Sequence, residues 1–336
     1  MQRTEILSTH TPELFQKAVL RAGELLRAGE VVALPTETVY GLAANALDEK
    51  AVAKIFRIKG RPANNPIIVH VASLEMAKRC VKKWPELPDK LSKAFWPGPL
   101  TLVLPRAGKI PEIVTAGGET VGIRWPSHPF IQAVIRECGF PLAAPSANLS
   151  SRVSPTNAEH VRAQLGGKIP LIVDGGQSQV GIESTVLDLT VSPPQILRPG
   201  MIHAESLAAV CGGLRTSDFG LRTSELRSPG LLEKHYSPRA KLIILSWRDD
   251  AELESAIRNS EFGIRNCHII AHTKIPGGFG MANVSVIPHD AEAFARALYA
   301  ELHRCDAAGA ELIVVEAPPD SPEWAGIADR LRRAAA

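Results

Sequence analysis

The sequence predicts an α/β protein in two parts: a mixed, twisted sheet with helices packed on it, then a smaller parallel α/β domain. Three observations carry this. The chain has 336 residues, more than one hydrophobic core usually serves. Before residue 212, helical and strand-like runs are mixed, and several strands follow one another with no helix between them, unlike a pure βαβ series. After residue 239, strands and helices alternate regularly, the rhythm of a parallel sheet.

The first helix has the clearest signals. Thr11 can cap it and Pro12 stands at its first position, where a missing N–H costs nothing. Leu14, Phe15, Ala18, Val19, Ala22, Leu25 and Leu26 form one apolar stripe of period 3.6, and Gly29 closes it. Val31 to Leu34 is a short buried strand. Further helical stretches are 49–58, 73–83, 86–95, 128–138 and 156–165, the last with a capping-box pair in Thr156 and Glu159. Strand-like runs are 67–71, 100–104, 121–124, 141–144, 170–173, 184–189 and 195–198. Residues 212–239 are rich in Gly, Ser, Pro and Arg without a sustained period, and read as a linker. Beyond it come strand KLIILS, helix 249–259, strands CHIIA and VSVIP, helix 290–307 and strand ELIVVEA. A last helix runs from Ser321 and Pro322 to about Arg333. These make a domain of about 95 residues, from 240 to 336.

Composition narrows the function classes. Hydrophobic residues at 45% and charged residues at 22% exclude disordered and fibrous chains. A net charge of +3 excludes the strongly basic coat of a protein that lives on nucleic acid, though not a local basic patch. The five cysteines, at 80, 138, 211, 267 and 305, form no CxxC pair, so free thiols in a reducing cytoplasm are expected. The polar start, MQRTEILSTHTPE, lacks the apolar core of a signal peptide. No run of 18 apolar residues exists to span a membrane.

Familiar catalytic motifs are missing: no Walker A, GxGxxG, GxSxG or HExxH. His268 and His272 lie on a strand pattern, about 13 Å apart, too far for one metal ion. The segment IFRIKGRPANNP holds Lys54, Arg57, Lys59 and Arg61. Such a run also suits a solvated helix face. Gly60 and Pro62, however, end the helix, so Lys59 and Arg61 project from a loop before the apolar strand PIIVHV. Open α/β sheets collect ligands at such ends, and an Arg fork beside a Lys point charge suits a polyphosphate. PTETVYGL supplies Thr36, Thr38 and Tyr40, and taken alone reads rather as an ordinary capped turn. APSANLSSRVSPT places Ser146, Asn148, Ser150, Ser151 and Ser154 before a helix, an anion site or a Ser-rich cap. Thr120 and Arg124 flank one strand, Ser184 starts another and Arg198 ends a third. This inventory of hydroxyls and cations suits a nucleotide and a small carboxylate more than a hydrolase with an activated nucleophile.

Taken in order, PTETVYGL, KGRPANNP with HV close behind, SAN followed by SPT, GIESTVLDL and ILRPG resemble the YrdC-like family. SPGLLEKHYSPRA resembles the linker of its two-domain members, the threonylcarbamoyl-AMP synthases. The resemblance implies a YrdC-like domain over 1–211, a linker that folds over the active site as a lid over 212–239, and a Rossmann-like parallel α/β domain over 240–336. It implies a nucleotidyltransferase that makes threonylcarbamoyl-AMP and pyrophosphate from L-threonine, bicarbonate and ATP. Mg2+ would travel on the triphosphate with no protein metal cage. A downstream transferase complex would pass the threonylcarbamoyl group to a tRNA adenosine, and direct tRNA binding is left open.

By the same resemblance, Lys59 and Arg61 are catalytic. They bind ATP together with Asn65, Thr120, Ser146, Asn148, Ser154, Arg198 and Tyr236. Thr38, His70, Arg124, Ala144 and Ser184 hold threonine, with Arg124 on its carboxylate. The sequence departs from the family pattern at Ser151 and Val153, where Gly and Pro are common, and at Glu233, where an aromatic residue is common. Two other readings are a different carbamoyl-adenylate-forming enzyme and an RNA-binding module of the same fold. Threonine-dependent pyrophosphate release separates both from the synthase.

Overall fold

A computed structural model describes residues 3–216, 229–230, 234–259, 266–277 and 283–336. Most of the expected lid, including Glu233, lies outside the described residues. The chain divides into two compact units, one of Met1–Ser150 with Ser154–Leu231, the other of Ser151–Val153 with Leu232–Ala336.

The first unit runs β1 (Glu5–Ser8), α1 (Pro12–Arg27), β2 (Val32–Leu34), β3 (Gly41–Asn45), α2 (Glu49–Lys59), β4 (Val69–His70), α3 (Leu74–Arg79), α4 (Glu86–Phe95), β5 (Leu100–Pro105) and β6 (Thr120–Arg124). It continues with α5 (Pro129–Cys138), β7 (Leu142–Ala143), α6 (Ala158–Leu165), β8 (Leu171–Asp174), β9 (Thr185–Asp188), β10 (Gln195–Arg198), α7 (Ala204–Cys211) and β11 (Arg215–Thr216). The strands form one mixed sheet in the order β1-β8-β2-β3-β7-β4-β6-β5-β9-β10-β11.

Helix α1 begins as its sequence requires. The Thr11 hydroxyl accepts the Leu14 N–H, and Pro12 takes the first turn. Its apolar face buries Ala18, Val19, Ala22 and Leu26, and Phe15 meets Phe130 of α5 edge-on at 5.2 Å. Leu14, expected in that stripe, is exposed. At α6 the cap is Asn157, not Thr156: its carboxamide oxygen accepts the His160 N–H at 2.9 Å, so the expected capping box does not form. Strands β1, β3 and β11 and helix α7 were not expected; β11 falls in the stretch read as a linker and pairs with β10. EILS is short and half-polar, and GLAAN is built from small residues of low strand propensity. Both become strands through pairing, β1 beside β8 and β3 between β2 and β7.

Alternation along the central strands creates two different faces. Val69, Leu100, Leu102, Leu104, Val121, Ile123 and Leu187 enter the main core. The intervening positions of β5, β6 and β9 carry Thr101, Val103, Thr120, Gly122, Arg124 and Val186 on the opposite face. There Ile68, Val103 and Val186 make a small separate apolar cluster.

The second unit contains β12 (Lys241–Leu245), α8 (Asp250–Arg258), β13 (Cys267–Ala271), β14 (Val284–Val286), α9 (Ala291–Ala307), β15 (Leu312–Glu316) and α10 (Ala325–Ala335). Its sheet, β12-β15-β13-β14, is parallel throughout. Leu253, Ile257, Ile269, Ala271, Leu312 and Val314 fill the core beneath it. His272 meets His289, Nδ1 to Nδ1 at 2.8 Å, and not His268.

Candidate active site

The alternation of β6 sets out the site. Thr120, Gly122 and Arg124 share one face, and four residue steps along the strand separate the first from the last by about 13 Å. Register carries both ends across neighbouring strands. Arg124 pairs with His70 of β4. Leu100 at the start of β5 pairs with Thr185, beside Ser184. Thr120 pairs with Pro105 at the far end of β5.

At the Arg124 end every polar group is buried. The Arg124 guanidinium donates from Nη1 to Thr38 Oγ1 at 2.8 Å and from Nε to Gly98 O at 3.3 Å. Its Nη2 lies 2.7 Å from Glu37 Oε1, with the two side chains 5% and 8% exposed. Nη2 makes no aligned hydrogen bond, so this five-donor group retains N–H groups for a ligand. Burial, the largest influence, opposes the Glu37 charge, but Arg124 together with the amides of Ser127 and Glu37 holds the carboxyl below its ordinary range. Burial first, then the Arg124 charge, pushes His70 down to about 3. It is a neutral imidazole, and its Nδ1 has no hydrogen-bond partner. Ser184 Oγ lies 2.8 Å from Thr101 Oγ1. Arg198 fixes that corner, donating from Nε and Nη2 to Ser184 O at 3.1 and 2.9 Å and from Nη2 to Ser184 Oγ at 3.2 Å.

The loop that brings Thr38 and Glu37 here is PTET. Thr36 Oγ1 donates to Val39 O at 2.6 Å and lies 2.9 Å from Thr38 Oγ1. The amides of Val180 and Gly181 donate to Glu37 O and Thr38 O, at 2.7 and 3.1 Å. Turn and neighbouring strand-end loop therefore hold each other.

Toward the Thr120 end lies the basic loop after α2. Gly60, at φ 60°, ends the helix in the left-handed region, which glycine adopts without strain. Lys59 Nζ donates to Ser146 O at 2.6 Å, Asn148 O at 2.5 Å and Asn148 Oδ1 at 3.2 Å. Three acceptors meet the three N–H groups of one ammonium, so Lys59 braces the SAN loop. Burial first, then the charge of Arg61, lowers its pKa well below the usual lysine value. Ser146 Oγ donates to Asn148 Oδ1 at 2.5 Å, completing the brace. Arg61 donates from Nε to Asn65 O at 3.0 Å, and from Nη2 to Asn65 Oδ1 at 2.7 Å and Pro66 O at 2.6 Å. Asn65 Nδ2 is buried without a partner. Pro66, Ile68, Thr101, Thr120, Gly122 and Val186 line one shallow cleft. Gly122 keeps its floor low, since a Cβ there would lie 3.2 Å from Thr101 Cγ2.

The structure thus gathers Thr38, His70, Arg124, Ser184 and Arg198 at one end of a sheet face. Lys59, Arg61, Asn65, Ser146 and Asn148 lie in linked loops, and Thr120 lines the cleft. Ser154 is fully buried, with its Oγ donating to Glu183 Oε1 at 2.6 Å. Ala144 has its amide on Ile68 O at 3.2 Å. Tyr236 lies in the second unit, 1% exposed. It stacks on Tyr299 at 5.9 Å, with Arg330 5.3 Å above its ring and φ at 62°. Sequence reasoning passed over Glu37, Thr101 and Glu183. Glu37 stands between two threonines read for their hydroxyls, Thr101 lies inside an apolar strand, and Glu183 precedes the serine that drew notice. Among the described residues, no three His, Cys, Asp or Glu side chains cluster as a metal site, and no helix is long and apolar enough to cross a membrane.

The family model described as "Telomere recombination", for Sua5, YciO and YrdC proteins, matches residues 24–200. The chain belongs to the Sua5/YciO/YrdC family. A second model, described as "Threonylcarbamoyl-AMP synthase, C-terminal domain", matches residues 202–336. Family members with curated names include a threonylcarbamoyl-AMP synthase of Pyrococcus abyssi, 40% identical over 93% of this chain and 92% of its own length. Another, from Bacillus subtilis, is 42% identical over 99% of this chain and 95% of its own. The crystal structure of P. abyssi Sua5 complexed with L-threonine superposes with a TM-score of 0.92 at 38% identity, covering 99% of this chain and 98% of that one. Escherichia coli YciO, at 25% identity and a TM-score of 0.53, covers 60% of this chain and 96% of its own.

Proposed function

We propose that this chain is an L-threonylcarbamoyladenylate synthase: L-threonine, bicarbonate and ATP give threonylcarbamoyl-AMP, pyrophosphate and water. The observation that carries the reading is the two-ended sheet face. A buried Arg124 with N–H donors to offer stands about 13 Å along one strand from Thr120, at the cleft beside the basic loop. That spacing lets an amino acid at one end and a nucleotide at the other meet between.

Arg124 takes the threonine carboxylate through its guanidinium. Thr38, neutral His70 and Ser184 supply neutral polar contacts around it, and Ala144 forms the wall. The nucleotide lies toward Thr120 and the loops of Arg61, Asn65 and Ser146, with Lys59 and Asn148 holding the SAN loop in shape and Ser154 and Arg198 fixing neighbouring segments. Tyr236, in the second unit, is proposed as a further nucleotide contact. The chemistry needs no enzyme nucleophile. Threonine and bicarbonate form a carbamate, whose oxygen attacks the α-phosphorus, and the bond to the β,γ-bridged pyrophosphate breaks. Such a transfer is accelerated by positioning and charge neutralisation. Magnesium enters as part of MgATP, held by phosphates and water. A labile mixed anhydride calls for a downstream transferase, here one acting on tRNA adenosine in the cytoplasm.

The test is pyrophosphate release with and without threonine, together with mass spectrometry of the product. Threonine-independent release, or a product lacking the threonyl mass, refutes the reading.

A further inference from the structure

Glu37 has no place in the inventory above, yet it is the most conspicuous polar group at the Arg124 end. It is 6% exposed, and neither carboxylate oxygen meets a hydrogen-bond donor in good geometry. Its close partner is the Nη2 of Arg124, at 2.7 Å. The Arg124 charge and the amides of Ser127 and of Glu37 itself help keep it ionised, and a carboxylate's roughly four acceptor sites outnumber these donors. A buried carboxylate left this way is costly, because each unfilled acceptor has lost its water. Buried polar groups without partners are rare and call for a reason.

We propose that Glu37 binds the α-ammonium group of the amino-acid substrate. This rests on the reading of the Arg124 end as an amino-acid site. The chemistry follows from the juxtaposition. In an α-amino acid one carbon separates the ammonium from the carboxylate, so the partner of one must stand beside the partner of the other. Arg124 and Glu37 stand in that relation. The ammonium brings three N–H donors to the carboxylate that lacks them. The amino acid's carboxylate brings acceptors to the guanidinium that has donors left. Neutral His70 adds no charge to upset the match. The pair therefore recognises a zwitterion and rejects a simple hydroxy acid, whose bound form would bring a second carboxylate to the Arg124–Glu37 pair with no cation to match it. Glu37 acts in capture; loss of the ammonium proton belongs to the later carbamate step.

The experiment is calorimetry on the full chain with L-threonine and with (R)-3-hydroxybutanoate, which keeps the carboxylate and hydroxyl and lacks the ammonium. Wild-type protein should prefer threonine by about ten- to a hundredfold, the range of a hydrogen bond to a charged group. Glu37→Gln should lose that preference by weakening threonine alone. Binding of 3-hydroxybutanoate should be unchanged or tighter, because Arg124 is released from its partner. Glu37→Asp, with the carboxylate drawn back one methylene, should keep a reduced preference, and it serves if Glu37→Gln does not fold. Equal weakening of both ligands in either variant, or an unchanged ratio, overturns the proposal: Glu37 is then only a brace for Arg124. Wild-type protein that binds neither ligand overturns the amino-acid site itself, and this inference with it.

Discussion

Replacing Arg124 by Met removes a buried cation and keeps most of its side-chain volume. Glu37 would then be a carboxylate 6% exposed with no counter-charge at 2.7 Å. Breaking one side of a buried pair costs about 3–5 kcal/mol. The sign with pH separates this from a simple packing loss. In the wild type the Glu37 pKa is depressed, with Arg124 and two amides together outweighing burial. The resulting stability is present above the unfolded carboxyl value, about 4.3, and is lost as pH falls through the folded value. In Arg124→Met both Arg124 contributions go while burial, the largest influence, stays against the smaller help of the Ser127 and Glu37 amides, so the folded pKa is expected to rise above the unfolded one. The folded variant then binds a proton that the unfolded chain has released. Its stability must fall with rising pH by up to about 1.4 kcal/mol per unit between those values. Urea denaturation at pH 5 and pH 8 reads this directly: the deficit relative to wild type should be larger at pH 8. Adding Glu37→Gln should restore much of the loss at pH 8. A deficit equal at both pH values, unrelieved by the second substitution, refutes the electrostatic argument.

Three further outcomes are expected. Ser151 adopts φ 63°, a left-handed conformation that costs a side-chain-bearing residue about 1–2 kcal/mol; Ser151→Gly should stabilise the protein by about 0.5–1 kcal/mol after glycine's greater unfolded-state entropy, seen as a higher urea midpoint. Lys59→Met should leave Ser146 O, Asn148 O and Asn148 Oδ1 without their shared donor, at a cost on the order of 3 kcal/mol; amide exchange across 146–150 should quicken, and ATP affinity should fall more than threonine affinity. Gly122→Val should press a side chain into the cleft against Thr101 Cγ2, already 3.2 Å from a Cβ; overpacking of about 1–3 kcal/mol and weakened ATP binding with threonine binding nearly intact are expected in parallel titrations.

The sequence was most legible where a local signal acts alone. Thr11, Pro12 and the apolar stripe specified α1, and every strand and long helix of the second unit was apparent from alternation. The small-residue strand β3 was hidden because GLAAN has no pattern of its own; its neighbours in the sheet make it a strand. At the site, hydroxyls and arginines were visible as loop residues at strand ends. Their division of labour was not. Lys59 looks like a phosphate ligand in KGRPANNP, and only the fold shows its ammonium committed to the SAN loop. Glu37 was unreadable for a similar reason, since its partner Arg124 is 87 positions away in sequence and register alone brings them together. The departure at Ser151 acquires its meaning from φ: the family's usual glycine suits a left-handed residue, and this chain keeps the conformation without it.

The alternation of β6 has a consequence for how such a protein can change. Thr120, Gly122 and Arg124 belong to the working face, while Val121 and Ile123 are 2% and 0% exposed in the main core. Because a strand's side chains repeat every two residues, a one-residue slip would exchange the two sets. Arg124 would be driven into hydrocarbon, and valine and isoleucine would line the ligand path. Unless a β-bulge absorbs it, as the β9–β10 pairing already does between Ile196 and Arg198, a single inserted or deleted residue in this strand strikes the core and the site together. Variation in the reaction's specificity is channelled instead into substitutions on one face and into the loops at the strand ends, where length can change without turning the strand over.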